Sequence, residues 1–192
     1  MQHANATFVT PRLLVGGDLD IIDDELTGRQ LRELVEAGVT HIADCRIEAD
    51  DTELVHRLAP ELAYHWNGID DAGQDVPAEW FDDNVGWALD ALADPDAIVL
   101  THCHMGINRG PSLGYAVLLA QGTDPVDALQ AIHDVRPQAY VAYAEDALRW
   151  HHARNDISTQ QRRGDEERVA RWRQENPVDL VRIIADQRDM GR

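Results

Sequence analysis

The 192-residue sequence contains no lysine. All 17 basic residues are arginine, and 35 acidic residues oppose them. The formal charge of −18 disfavours nonspecific attraction to nucleic acids and anionic lipids, because both require a positive protein surface. We therefore expect no nucleic-acid partner and no membrane partner. A general compositional bias or adaptation to salt explains the charge without any specific ligand.

Cysteine is also scarce, with two residues in the chain. Two cysteines cannot form a disulfide framework, which favours a reducing compartment. The first ten residues show no basic segment followed by an apolar one, so no signal peptide is predicted. Apolar runs such as 115–120 are far too short to span a bilayer. We expect a cytoplasmic protein.

Predicted strands alternate with predicted helices along the chain. Strands are predicted at 8–10, 13–15, 39–43, 62–66 and 97–100, and helices at 30–36, from Pro77, from Pro111, at 126–135 and at 144–152. The run 97–100 is continuously apolar, which is typical of a strand buried on both faces. This pattern predicts an α/β fold with a central, mostly parallel, twisted sheet flanked by helices.

The C-terminal part has a different composition. Residues 160–192 hold eight Arg and seven acidic residues, whereas residues 1–159 hold nine Arg and 28 acidic residues. Val169 and Trp172 share a predicted helix face, and Asn176 is predicted to cap a further helix. That helix carries the apolar residues Leu180, Val181 and Ile184. We expect a helical hairpin that packs on the core or on a second subunit, and its sequence assigns it no other function.

One segment carries specific chemistry. The apolar strand at 97–100 leads into a loop and then into a helix, and the loop reads His102-Cys103-His104-Met105-Gly106-Ile107-Asn108-Arg109. A strand–loop–helix junction directs several backbone N–H groups at one point, which makes an anion site. These amides and the guanidinium of Arg109 would stabilise a thiolate on Cys103. The planar fork of Arg109 can bind two phosphate oxygens, and Gly106 permits a positive φ within the loop.

This loop resembles the His-Cys-x(5)-Arg signature of the dual-specificity branch of the protein tyrosine phosphatase superfamily. The resemblance covers about residues 7–155 and includes the opening strands at 8–17 and the passage at 38–42. It implies a phosphatase that needs no metal and no organic cofactor. Cys103 would be the nucleophile, and residues 104–109 would bind the phosphate. We accordingly predict a dual-specificity-phosphatase-like catalytic domain over 1–155 and a C-terminal helical extension over 156–192.

The resemblance also implies a general acid on a loop about thirty residues before the nucleophile. Asp71 lies 32 residues before Cys103 and fits this spacing best, with Asp70 as the alternative. In the implied mechanism, Cys103 attacks phosphorus while the loop amides and Arg109 stabilise the developing charge. Asp71 protonates the leaving oxygen and then accepts a proton from the hydrolytic water.

The chain departs from the family pattern at Gly110. Ser or Thr is usual at this position, and its hydroxyl helps the sulfur to leave in the second step. Ser112 lies two residues too late to replace it directly. We therefore expect fast attack followed by slow hydrolysis, and an improvement in turnover for Gly110→Ser.

The two histidines that flank Cys103 admit a second interpretation, because His102, Cys103 and His104 are all potential metal ligands. The sequence offers no second group of ligands at suitable spacing, so we predict no metal site. His102 is instead expected to orient the loop through buried hydrogen bonds.

Three residues at the end of the predicted strand 39–43 also have more than one interpretation. Cys45 is expected to be a small buried apolar residue, and a reversible disulfide with Cys103 is the alternative. Arg46 and Glu48 are expected to form an ordinary solvated ion pair rather than to reach the rim of the site.

The favoured function is a phosphomonoesterase acting on phosphorylated proteins or peptides, on phosphotyrosine first and also on phosphoserine and phosphothreonine. A phosphoinositide substrate is disfavoured, because such enzymes carry lysines in the loop. Asn108 before Arg109 is similar to RNA 5′-triphosphatases, but the acidic charge opposes RNA binding. A non-catalytic phosphate-binding module is favoured by Gly110 alone. A sulfurtransferase also uses a cysteine at the head of a loop, but it does not account for His102 and Arg109.

Overall fold

The computed structural model describes residues 1–183 and 185. The strands and helices are β1 Ala6–Thr10, β2 Leu13–Gly16, α1 Asp24–Glu36, β3 His41–Arg46, α2 Thr52–Leu58, β4 Ala63–Ile69, α3 Ala78–Leu92, β5 Val99–His102, α4 Arg109–Ala120, α5 Pro125–Val135, α6 Ala144–Arg154 and α7 Thr159–Glu175. Within the described part, no helix is long and apolar enough to cross a membrane.

The predicted strands and helices of residues 1–155 are present, although their bounds differ by a few residues. Helix α1 begins six residues earlier than predicted, because the carboxylate of Asp23 accepts hydrogen bonds from the N–H groups of Glu25 and Leu26. Helix α2 was not predicted at all. It is only seven residues long and buries one side chain, Val55, so its sequence shows little periodicity.

The five strands form one sheet in the order β1-β2-β5-β3-β4. Strand β1 is antiparallel to β2, and all other pairs are parallel. The prediction of an α/β fold with a mostly parallel sheet and flanking helices is confirmed. Strand β5 lies at the centre, between β2 and β3.

The core is divided by the sheet into two layers. Leu14, Ile42 and Leu100 face one side with apolar residues of α1 and α2. Leu13 and Val99 face the other side, against helices α3 to α7. Val99 and Leu100, which are consecutive in β5, therefore contact opposite layers, which explains why the sequence is apolar where the strand enters the sheet.

Helix α7 packs against the α/β unit through a buried residue and several polar contacts. Val169 is fully buried, and the indole Nε1 of Trp172 donates to Oε1 of Gln130 at 2.8 Å. The prediction that Asn176 caps a further helix is wrong: Asn176 ends α7. Asp179 instead accepts hydrogen bonds from later N–H groups. Ile184, also predicted on that helix, lies outside the described residues.

Candidate active site

Four strands deliver polar side chains to the same edge of the sheet. Asp18 follows β2, Glu48 follows β3, Asp71 follows β4 and Cys103 follows β5. Because these strands are parallel, their carboxyl ends meet at one edge, which is where open α/β sheets bind ligands. A cavity of about 250 Å³ lies there and is lined by Asp71, Cys103, His104, Met105, Ile107, Asn108, Arg109, Tyr140 and Leu180.

The loop after β5 has the shape expected of an anion site. Cys103 is 2% exposed at the bottom of the cavity. Gly106 adopts φ +65°, and a Cβ there would lie 2.5 Å from the carbonyl carbon of Gly16. A side chain at this position would therefore meet backbone atoms as well as an unfavourable φ. The positive φ that Gly106 was predicted to permit is confirmed.

A buried arginine that sequence reasoning missed holds the loop from behind. Nε of Arg136 donates to the carbonyl of Gly106 at 2.6 Å, and Nη2 donates to the carbonyl of Met105 at 3.2 Å and to Oδ1 of Asn5 at 2.8 Å. These bonds draw the loop carbonyls away from the cavity. Burial lowers the pKa of Arg136. An arginine at the end of a helix gives no sequence signal for this contact.

Arg109 is held by a bidentate ion pair with Glu48. Its Nη1 and Nη2 donate to the two carboxylate oxygens of Glu48 at 2.6 Å each, and Nη1 also donates to the carbonyl of Ile69 at 3.0 Å. The hydrogen bonds from Arg109 lower the pKa of Glu48 to about 2. The prediction that Glu48 forms a solvated pair with Arg46 is wrong.

One edge of the Arg109 guanidinium makes no hydrogen bond within the described residues, although the carboxylate of Asp71 lies near it. Of its five N–H groups, both on Nη1 and one on Nη2 are engaged. The buried Nε has no hydrogen-bond partner among the described residues, and Oδ2 of Asp71 lies 3.5 Å from it. The Nε and Nη2 donors form a side-on fork that matches two oxygens of a phosphate.

Asp71 reaches the cavity and is held by two side chains. Nδ2 of Asn108 donates to Oδ1 of Asp71 at 2.5 Å, and the hydroxyl of Tyr143 donates to the same oxygen at 3.3 Å. Burial and the nearby Asp71 charge raise the pKa of Tyr143, so its hydroxyl remains a donor. The carboxylate of Asp70 instead accepts the N–H of Asp71, and its side chain does not line the cavity.

The two histidines beside Cys103 contact different carboxylates. Nδ1 of His104 lies 2.5 Å from Oδ2 of Asp18, whereas Nε2 of His102 lies 3.7 Å from Oδ1 of Asp44. His102 is 1% exposed, and neither ring nitrogen has a hydrogen-bond partner among the described residues. The predicted hydrogen bonds from His102 to the loop are therefore not present. Burial lowers the pKa of His102, which favours the neutral ring.

Behind the cavity, Arg46 belongs to a buried ion cluster. Its guanidinium donates to Asp44 at 2.8 and 2.9 Å and also contacts Asp51. Two carboxylates compensate the buried charge, which would otherwise be costly. The next residue back, Cys45, is fully buried, and this burial raises the pKa of its thiol. Both Cys45 and Cys103 are free thiols.

Comparison with known proteins identifies the fold. The sequence matches no protein-family model. The structure of PTPMT1 in complex with PI(5)P is 17% identical, with a TM-score of 0.63 over 78% of this chain and 96% of that chain. Human DUSP28 is 18% identical, with a TM-score of 0.62 over 78% of this chain and 94% of that chain. This chain has the dual-specificity phosphatase fold.

A third structure with this fold is a phosphatase-like interacting protein. The human tyrosine phosphatase-like serine/threonine/tyrosine-interacting protein is 16% identical, with a TM-score of 0.60 over 78% of this chain and 97% of that chain. The site residues named above occupy the carboxyl edge of the sheet in this fold. Their roles stay predictions.

Gly110 follows Arg109 at the start of α4, where the backbone passes very close to β5. A Cβ at position 110 would lie 2.8 Å from both Cα and the carbonyl carbon of His102. The hydroxyl of Ser112 contacts Oδ1 of Asn108 at 3.3 Å and accepts the N–H of Tyr143 at 3.3 Å. The hydroxyl of Ser112 is thus engaged elsewhere.

The expectation that Gly110→Ser improves turnover stays a prediction, and the close approach to β5 adds one about stability. We expect Gly110→Ser to lower the free energy of unfolding by about 1–3 kcal/mol, because the new side chain must displace backbone. Gly86→Ser in α3 is the matched control, since a Cβ there meets nothing within 4 Å. Urea unfolding of both variants tests this, and wild-type stability for Gly110→Ser would contradict it.

The ion pair of Glu48 with Arg109 predicts a pH dependence. The pKa of Glu48 is lowered from 4.5 to about 2, so the pair stabilises the folded state above pH 4.5, and this contribution is lost as pH falls towards 2. We expect Glu48→Gln to be less stable than wild type at pH 7, with a difference that shrinks below pH 4.5. Urea unfolding at pH 7, 4 and 3 measures it. A difference independent of pH would refute the assignment.

Proposed function

We propose that this protein is a cysteine-dependent phosphatase that hydrolyses phosphomonoesters of proteins through a phosphocysteine intermediate. Its first substrate is phosphotyrosine, and it also accepts phosphoserine and phosphothreonine. The proposal assigns catalysis to Cys103, Arg109 and Asp71, within a catalytic domain over 1–155. The phosphate would be bound by residues 104–108 together with Arg109.

The observation that carries this proposal is the position of Arg109 beside Cys103. Both residues line the same cavity. Nε of Arg109 makes no hydrogen bond among the described residues and has the Asp71 carboxylate 3.5 Å away, and a buried donor that makes no hydrogen bond costs free energy unless a ligand satisfies it. A tetrahedral dianion with several acceptor oxygens satisfies the guanidinium fork and the loop amides together.

The proposed reaction has two steps. The thiolate of Cys103 attacks phosphorus, so that an S–P bond forms as the P–O bond to the leaving group breaks, and Asp71 gives its proton to that oxygen. Water then attacks the phosphocysteine while Asp71 accepts a proton from it. The S–P bond breaks, the thiolate returns and inorganic phosphate leaves. Arg109 and the loop amides stabilise the charge on the equatorial oxygens in both steps.

Asn108 acts in this proposal as a positioning residue for Asp71. Its amide nitrogen holds the carboxylate, and its Oδ1 accepts the N–H of Ala142 at 2.7 Å. The side chain of Asn108 thereby joins two loops. One is the loop of residues 103–108 after β5, the phosphate loop, and the other is the β4–α3 loop that carries Asp71, the acid loop.

The proposed substrate class rests on the chemistry of the loop. PI(5)P is the ligand in the PTPMT1 structure, but the present chain has no lysine with which to bind additional phosphates of such a headgroup. We also propose a reducing, cytoplasmic setting, because the mechanism needs Cys103 as a thiolate and both cysteines are unpaired.

Hydrolysis of phenyl phosphate and p-nitrophenyl phosphate in EDTA tests the proposed roles. We expect Cys103→Ser to reduce both rates to the buffer blank. We expect Asp71→Asn to lower the rate on phenyl phosphate by roughly 10²–10⁴-fold. Its effect on p-nitrophenyl phosphate should be smaller, because p-nitrophenolate leaves without protonation. Asp70→Asn is the matched control for Asp71→Asn, and its rate on phenyl phosphate should fall much less.

Two outcomes would overturn these assignments. Equal losses for Asp70→Asn and Asp71→Asn would remove the role of Asp71 as acid. An inactive wild type that still binds a phosphotyrosine peptide would favour the phosphate-binding module, for which Gly110 is the motivating residue.

Gly110 also predicts the relative rates of the two steps. No hydroxyl follows Arg109, and that of Ser112 is engaged by Asn108 and Tyr143, so departure of the sulfur is unassisted by either. We expect stopped-flow measurements with p-nitrophenyl phosphate to show a burst of about one p-nitrophenol per chain, followed by a slower steady state. A linear time course from the first turnover would contradict slow hydrolysis of the intermediate.

A further inference from the structure

The C-terminal extension reaches the candidate active site. Leu180, in the segment after α7, lines the cavity together with Cys103 and Tyr140. The sequence assigned this segment no function beyond packing. The segment is helical from Leu180 to Ile183. Oδ1 of Asp179 accepts the N–H of Arg182 at 3.0 Å, and the carbonyl of Asp179 accepts the N–H of Ile183 at 3.1 Å.

Helix α7 is joined to the wall of the cavity by Arg173. Its Nη1 donates to the carbonyl of Val141 at 2.8 Å, and its guanidinium carbon lies 5.0 Å from the centre of the Tyr140 ring. Stacking of a guanidinium over an aromatic face is attractive. The extension thereby holds the ring of Tyr140 and the backbone beside it.

The turn at residues 140–141 is in turn bonded to the phosphate loop. The N–H groups of Tyr140 and Val141 both donate to the carbonyl of Ile107, at 2.8 and 3.3 Å. Val141 adopts φ +49°, which is unfavourable for a β-branched residue. Strained backbone of this kind persists where surrounding contacts hold it. The contact from Arg173 is one of these, so the phosphate loop, the turn and the extension form one connected structure.

The cavity has a polar floor and an apolar side. A phosphate bound by Cys103 and Arg109 would occupy the floor of this cavity of about 250 Å³. Tyr140, Leu180 and Ile107 also line it and offer apolar surface to the group that carries the phosphate.

We infer that the extension completes the substrate site, and that Leu180 with Tyr140 binds the aromatic ring of an aryl phosphate such as the phosphotyrosine side chain. This inference rests on the proposed function for the phosphate position. It makes Leu180 a specificity-determining residue supplied from outside the α/β unit. A short alkyl phosphate would gain little from this wall, because it has no ring to bury there.

Binding to the full chain in a Cys103→Ser background tests the inference without turnover. The probes are phenyl phosphate and inorganic phosphate, measured by isothermal titration calorimetry. We expect Leu180→Ala to lower the affinity for phenyl phosphate about tenfold, on the scale of lost methylene contacts in an apolar pocket. The affinity for inorganic phosphate should change by less than about twofold. Leu180→Met should stay close to the parent because it keeps the apolar volume.

Val181→Ala is the matched control, since the neighbouring Val181 side chain is 82% exposed and should change neither affinity. In the active enzyme, Leu180→Ala should raise KM for p-nitrophenyl phosphate with little change in kcat.

Three results would overturn the inference. They are equal weakening of both probes, no change in either, or tighter binding of phenyl phosphate, which would mean that the segment obstructs the site. The proposed function can fail separately. If the wild type has no hydrolytic activity but its affinity for phenyl phosphate still depends on Leu180, the inference about Leu180 stands and the proposed phosphatase activity is wrong.

Discussion

The geometry of the site depends on the parallel alignment of β5 with its neighbours β2 and β3. A central strand buried on both faces cannot shift its register without moving apolar side chains out of two cores. Its end therefore places Cys103 at a fixed point. The same alignment brings the residues that follow β2, β3 and β4 to that edge, so the acidic residues around the cavity and its thiol are positioned by one sheet.

Charge compensation explains how such an acidic chain builds an anion site. Several carboxylates lie at or behind the site, where they pair with its buried arginines. Glu48 occupies one side of Arg109, and Asp44 and Asp51 neutralise Arg46 behind it. The bidentate pair with Glu48 orients the buried guanidinium of Arg109, and Asp71 lies 3.5 Å from its Nε. Among the described residues, the hydrogen-bond partners of Arg136 are the carbonyls of Met105 and Gly106 and the amide oxygen of Asn5, with no carboxylate.

The site also illustrates how contacts distant in sequence assemble around one loop. Asn108 joins the phosphate loop to Asp71 on the β4–α3 loop, and the turn at 140–141 joins it to α7 through Arg173. Each of these connections consists of one or two hydrogen bonds. The acid loop and the extension are therefore separate segments that contact the phosphate loop. Because the connections share the loop, a change at one can reach the others.

The sequence by itself determined the α/β class, the buried central strand and the loop from Cys103 to Arg109, because these depend on local periodicity and on a short run of chain. It also led to Asp71 through spacing. Only the tertiary structure decided which residues Glu48, Arg136 and Leu180 lie beside, since each meets residues at least thirty positions away in the sequence. It also revealed a constraint at Gly110 that the sequence did not indicate, because the space beside Gly110 is filled by the backbone of β5. The local sequence pattern specifies the strands and helices, whereas their packing decides which side chains from different strands and helices come into contact.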